Sequence, residues 1–306
     1  MTRIAKVARD AAPYQRRFIP FSSARSAFGA FLRAVHAEQA GVLLPAYIGW
    51  SPREGSGVFD PVIETNTPYS FYRLNARLEI DLADLRAALD RQQPRVLLLI
   101  HYFGYPDPAY DDVIRIARER GVIVLEDEAH ALLTDLVGGV TGRRGAASLV
   151  SLHKLLPVET GGGLLVNPEG DELCREIVGD ASAEHPWNFD LATLARRRRE
   201  NAATIAAGLG PLAGRIDPLW ELPELVVPQT FPVLVRGTSR DHLYEQMNAS
   251  GFGVVSLYHT LVDAIPRKDF PISHELARTV MNLPVHQAAS TDQLAAMLDE
   301  LDRITR

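Results

Sequence analysis

The feature that most limits how this chain can fold is a set of short runs that are apolar at almost every position: Val42-Leu43-Leu44, Val96 to Ile100, Val122 to Leu125, Leu149 to Leu152 and Leu164 to Val166. A strand with apolar side chains on both faces has to be covered on both faces, the condition met in a parallel sheet between layers of helices. Helical patterns do fall between the runs. Ala27, Phe28, Phe31, Leu32 and Val35 recur at helical spacing after Ser22-Ser23, whose hydroxyls can accept a backbone hydrogen bond at a helix start. Val113, Ile116 and Ala117 repeat the pattern behind Asp111-Asp112, and Gly121 supplies a stop. The first half therefore predicts strand-helix-strand units around a mostly parallel sheet, an α/β fold.

Beyond Pro186 the pattern changes to a long Ala/Arg-rich helix (Leu191 to Leu209), a strand from Phe231 to Val235, a helix from Ser239 to Ser250, a strand around Val254-Val255 and a last helix from Thr291 to Ile304. The expected division is a large sheet domain over residues 1–189 and a smaller α/β domain over 190–306. The basic run Arg196 to Arg199 reads as a solvated helix face. A net charge of −6 offers no clustered positive surface for nucleic acid, so small-molecule partners are favoured. Met1 to Arg17 is polar, and no 18-residue apolar run appears anywhere. One cysteine, Cys174, excludes an intrachain disulfide and fits a reducing compartment, so a soluble cytoplasmic protein without a membrane partner is expected.

Two strand ends deliver polar groups. In Val122-Ile-Val-Leu-Glu-Asp-Glu-Ala-His130 the acid Asp127 arrives at the carboxyl end of a buried strand, where ligands of open α/β sheets gather. It either caps the following turn or pairs with the protonated nitrogen of a heteroaromatic ring. In Ser148-Leu-Val-Ser-Leu-His-Lys-Leu-Leu-Pro157, followed by Gly161-Gly162-Gly163, the polar group is Lys154. The chain has 29 arginines and only three lysines (Lys6, Lys154 and Lys268), so lysine is avoided where any positive charge would serve. Covalent capture of a carbonyl needs a primary amine that can lose its proton, which guanidinium cannot provide. Apolar neighbours lower an amine's pKa when it is buried. Ser151, and the helix start Ser22-Ser23-Ala24-Arg25, can each meet a phosphate, although a serine at a helix start is far more often a plain N-cap.

Together these stretches resemble the DegT/StrS family of sugar aminotransferases, which depend on pyridoxal 5'-phosphate (PLP). The family's phosphate helix looks like Ser22-Ser-Ala-Arg-Ser-Ala27, and its first strand end looks like Pro45-Ala-Tyr-Ile-Gly-Trp50. The turn His101-Tyr-Phe-Gly104, the run Glu126-Asp-Glu-Ala-His130, the lysine loop Ser151 to Gly163 and Leu283-Pro-Val-His286 follow in the family's order. The resemblance implies a fold type I PLP-dependent transferase, usually a homodimer. At the matching positions Lys154 would carry PLP, Asp127 would hold the pyridine nitrogen and His130 would contact the phenolic oxygen. Ser23, Ala24, Arg25 and Ser151 would meet the phosphate, and Tyr47 or Trp50 would stack on the ring. Neither a metal nor nucleic acid is implied.

The activity implied is transfer of an amino group from a donor such as glutamate to a keto sugar, one linked to a nucleotide. Two departures stand out. The segment between the glycines and the long helix is short, and Lys154 lies three residues after Ser151 where many sugar aminotransferases place it five after. The adjacent His153-Lys154 pair keeps a PLP-dependent sugar dehydratase as an alternative, and the short middle keeps a non-catalytic sensor or assembly protein as another.

Overall fold

The computed structural model describes residues 16–180 and 184–306; Lys6 and nearly all of the polar N-terminal segment lie outside the described residues. Seven strands make the main sheet: β1 (Arg17–Phe21), β2 (Val42–Pro45), β3 (Tyr69–Tyr72), β4 (Val96–Ile100), β5 (Ile123–Asp127), β6 (Ala147–Ser151) and β7 (Gly162–Val166). Their order is β1-β7-β6-β5-β4-β2-β3. The five strands from β3 to β6 run parallel, and β7 is antiparallel to both β6 and β1. Every residue of β4, β6 and β7 is buried, as strands covered on both faces must be.

Helices α1 (Ala24–Ala34), α2 (Phe59–Glu64), α3 (Leu82–Gln92) and α4 (Tyr110–Glu119) fall between these strands. Ser23 begins α1 from an extended backbone, its hydroxyl accepting the Ser26 amide, and Phe28, Phe31 and Leu32 on the same face are buried. Asp81 caps α3 in the same way. A second, antiparallel sheet joins β8 (Ile216–Pro218), β9 (Thr230–Val235) and β10 (Val280–Pro284) in the order β10-β9-β8. With it lie α5 (Leu191–Gly208), α6 (Arg240–Ala249), α7 (Pro271–Thr279) and α8 (Thr291–Thr305). Ile205, Phe231, Val233, Met247, Leu283 and Met297 fill their shared core. A reciprocal cap between Ser290 and Gln293 opens α8. The late chain also reaches the main core: Leu261, Val262 and Ile265 pack there, and Val262 N donates to Ile48 O at 3.0 Å.

Some sequence expectations are corrected. Val254-Val255 is no strand; Val255 makes an isolated bridge to Asn282. Strands β1 and β3 carry partly exposed residues because they form the sheet's two edges, so neither shows the unbroken apolar run that marks the interior strands. The basic run on α5 is not wholly solvated. Arg196 and Arg197 pair with Glu200 at the surface, whereas Arg198 is buried and donates to Gln229 O at 3.0 Å, and Arg199 donates to Val226 O at 2.7 Å. Among the described residues no helix is long and apolar enough to cross a membrane.

Side chains alternate along a strand, and at the end of β5 that alternation separates structural from cavity-facing acids. Glu126 is fully buried and accepts from the amides of Gly142, Arg144 and Gly145, from Tyr110 Oη and from the His101 ring at 2.8 Å. Burial alone would raise its pKa, but the His101 and Tyr110 bonds and the backbone donors outweigh it and hold the carboxyl at about 2. A depressed acid stabilises the fold above its ordinary pKa and loses that contribution as pH falls through its folded value. Glu126→Ala should therefore lower unfolding free energy by about 3–5 kcal/mol at neutral pH, and the gap from wild type should narrow below pH about 4. Urea titration at several pH values checks this; a neutral-pH loss under about 1 kcal/mol contradicts it.

Candidate active site

A cavity of about 450 Å³ opens at the carboxyl ends of β4, β5 and β6, where Ile100, Asp127 and Ser151 line it. It brings together Ser23, Ala24, Arg25, Asp127, His130, Ser151 and Lys154, each singled out by sequence. Two others fall elsewhere. Tyr47 is completely buried behind the cavity and Trp50 is 45% exposed; neither lines it. His286 is exposed, and its carbonyl accepts from Asn201 Nδ2.

At one end the amine of Lys154 stands 3.1 Å from His130 Nε2. The other ring nitrogen, Nδ1, accepts the amide of Phe103 at 3.2 Å, so in a neutral imidazole the proton resides on Nε2. An N–H aimed at Nζ suits a neutral amine, which can accept it, and opposes an ammonium, which cannot. Burial disfavours charge on both groups. Burial, then the charge of Lys154, pushes the His130 pKa well below the ordinary histidine range. Burial lowers the Lys154 pKa, with Asp127 and Glu54 drawing it partly back. Burial likewise raises Asp127 against the pull of Lys154 and of the Ala129 amide, which Oδ1 accepts at 2.8 Å. Asp127 thus caps the following turn while also facing the cavity.

At the other end, α1 points its amino terminus into the cavity. Ser26 N and Ala27 N bond back to Ser23, and the first-turn amides of Ala24 and Arg25 are left without an intrahelical partner, a setting that favours an anion. The Arg25 guanidinium turns aside to Glu54 O and stands 3.4 Å from Asp60. Gly162 is necessary for this approach, because a Cβ there would lie 2.3 Å from Ala24 N. Its neighbour Gly161 ties the two ends together: Gly161 N donates to Ser22 O at 3.0 Å and Gly161 O accepts from Leu152 N at 2.9 Å. Ser151 Oγ lies 3.3 Å from His153 Nδ1, and His153 also lines the cavity.

Gly49, Glu54 to Val58 and Tyr258 also line the cavity and were not singled out from sequence. The run Arg53-Glu-Gly-Ser-Gly57 is a loop signal just past a strand end and could have been found. Tyr258 carries no such local signal.

The sequence profile of the DegT/DnrJ/EryC1/StrS aminotransferase family matches residues 58–179. Spore coat polysaccharide biosynthesis protein SpsC of Bacillus subtilis is 28% identical over 84% of this chain and 78% of its own length. The chain is similar to this family over residues 58–179. The uncharacterized protein MJ1066 of Methanocaldococcus jannaschii is 29% identical over 86 residues, 28% of this chain and only 22% of that protein's length. Solved structures share the fold at low identity. A DegT/DnrJ/EryC1/StrS aminotransferase from Brucella abortus superposes with a TM-score of 0.76 at 16% identity, over 95% of this chain and 86% of its own. The E. coli GDP-4-keto-6-deoxy-D-mannose-3-dehydratase, solved with hydrated PLP, gives 0.74 at 15% identity, over 95% and 89%.

A depressed amine should announce itself chemically. Acetylation of Lys154 with acetic anhydride, followed across pH by peptide mapping, should reach half its plateau below the ordinary lysine pKa of about 10.4. A midpoint at or above that value would show that burial does not lower the pKa of this amine.

Proposed function

We propose that this chain is a PLP-dependent aminotransferase that moves an amino group from an amino acid such as glutamate to a keto sugar, one linked to a nucleotide. The observation that carries the reading is the pairing, in one cavity, of a neutral-leaning lysine and a buried carboxylate with a helix start that suits an anion. The residues fit the cofactor on three counts. The Ala24 and Arg25 amides offer donors to a phosphate where Gly162 leaves no side chain in the way. His130 Nε2 presents a donor suited to a phenolic oxygen beside Lys154. Asp127, buried and facing the same space, suits a protonated ring nitrogen.

When bound, PLP supplies an aldehyde for an amine to capture and a ring that takes up the electron pair of a deprotonated α-carbon. The protein's share is acid-base work and restraint. Lys154 Nζ, already biased to the neutral form, holds the cofactor and then carries a proton away from the donor's carbon and back to the acceptor's. Asp127 keeps a proton on the ring nitrogen by being the anion next to it. His130 orients Lys154 by donating from Nε2, its own tautomer locked by the Phe103 amide. A cytoplasmic homodimer with a large domain over 1–189 and a small one over 190–306 is the organisation that goes with this reading.

A second reading, a PLP-dependent sugar dehydratase, is favoured by His153 standing in the cavity next to Lys154. Glutamate discriminates. An aminotransferase should lose its visible cofactor absorbance on mixing with glutamate, and unchanged absorbance favours the dehydratase. Protein that stays colourless after incubation with PLP supports a non-catalytic role.

Borohydride treatment of PLP-loaded protein, with peptide mapping, should place the label on Lys154. Label on Lys6 or Lys268 would overturn the assignment. Lys154→Ala and Asp127→Asn should each lower kcat by about 10²–10⁴-fold, Lys154→Ala with loss of the visible band and Asp127→Asn with the band retained.

A further inference from the structure

We infer that Tyr258, from the carboxyl-terminal part of the chain, supplies the aromatic face against which the cofactor ring is held, in place of a side chain from the strand end at 45–50. The inference rests on the PLP reading and deepens it. Four observations carry it. First, neither aromatic of that strand end enters the cavity. Tyr47 packs behind it, its carbonyl accepting from Tyr102 Oη, and Trp50 faces outward.

Second, Tyr258 does line the cavity, and its ring lies over the position that a side chain at residue 49 would take. A Cβ built on Gly49 would stand 2.7 Å from Tyr258 Cδ1 and 3.2 Å from its Cα. A side chain at 49 and this ring are mutually exclusive, so the glycine and the tyrosine read as one arrangement. The strand end has given up its side chain at the point where a ring from elsewhere occupies the space.

Third, the backbone is held for this purpose. Gly49 bridges Leu261, Trp50 N donates to Thr260 O at 3.0 Å and Val262 N donates to Ile48 O, so residues 258–262 are stitched along 48–50. Tyr258 itself has φ +62°, a left-handed conformation that a bulky residue adopts only where its surroundings over-determine it. Fourth, the ring is braced from behind. Tyr47 lies at 5.1 Å, Tyr102 edge-on at 5.6 Å, His130 at 6.0 Å and Phe103 at 6.1 Å between centroids. That cluster places it at the Asp127–Lys154 end. Phe28, the other cavity-lining aromatic hydrocarbon side chain, belongs to α1 at the anion end.

The test titrates apoprotein with PLP, following quenching of intrinsic fluorescence and the induced visible circular dichroism, for wild type, Tyr258→Phe, Tyr258→Leu, Gly49→Ala and Trp50→Ala. Melting of each apoprotein is recorded beside it. Tyr258→Phe and Trp50→Ala should bind as wild type, and Tyr258→Leu, which keeps bulk without a ring, should raise the Kd about tenfold and alter the dichroism. Gly49→Ala, which pushes the ring from behind, should weaken binding in wild type yet add nothing to Tyr258→Leu, a coupling that general destabilisation would not produce. Wild-type affinity in Tyr258→Leu, or a loss in Trp50→Ala alone, overturns the inference while leaving the PLP reading intact. A wild type that takes up no PLP removes the reading and the inference together.

Discussion

Everything in the candidate site depends on the carboxylate of Glu126. Five donors converge on it from three separate places: the 142–145 loop, the Tyr110 hydroxyl and the His101 ring. A buried anion without them would be strongly destabilising, so the sequence around it has to close in this one way. Alternation along β5 then leaves Asp127 on the opposite face, at the mouth of the parallel strands. Glu128 turns back to the buried side, where burial and the neighbouring acids Asp135 and Glu126 push its pKa well up and Thr141 donates to it. The run of three acids is thus one cavity-facing group held between two that face inward.

The same alternation explains why the acid–amine pairing was legible in sequence. Asp127 ends and Lys154 follows a buried strand built on an apolar run, and a polar group at the carboxyl end of such a strand has few places to go. The interior strands β4, β5 and β6 were readable for the same reason. The edges β1 and β3 were not, since an edge strand is covered less completely and keeps a mixed pattern. Tyr258 was beyond reach on other grounds. Its place depends on residues 258–262 pairing with 48–50, a contact between distant parts of the chain that leaves no periodic trace in either segment. Trp50 was legible as a large aromatic and misleading as to direction, because the same pairing fixes which way its backbone faces. The run Arg196 to Arg199 was half legible: charge predicts solvation on average, and only the packing of α5 against the 223–229 segment shows which arginines turn inward.

The site's two ends differ in what makes them. The amine end is a matter of side chains, in which the tautomer of His130 and the depressed pKa of Lys154 support one another. The anion end is almost entirely backbone: amides at the start of α1, approached closely because Gly162 has no Cβ, with Arg25 diverted towards Asp60. A site divided in this way can change its acid-base character by substitution more readily than the geometry of its helix-start end.

Gly161 joins those ends. Its N–H donates to the residue ahead of the helix cap and its C=O accepts from Leu152 at the start of the lysine loop, so two successive planar peptide units span from one to the other. It works as a gauge block. The interval between the amine and the helix start is set into main-chain geometry, and it is therefore insulated from drift in the surrounding side chains.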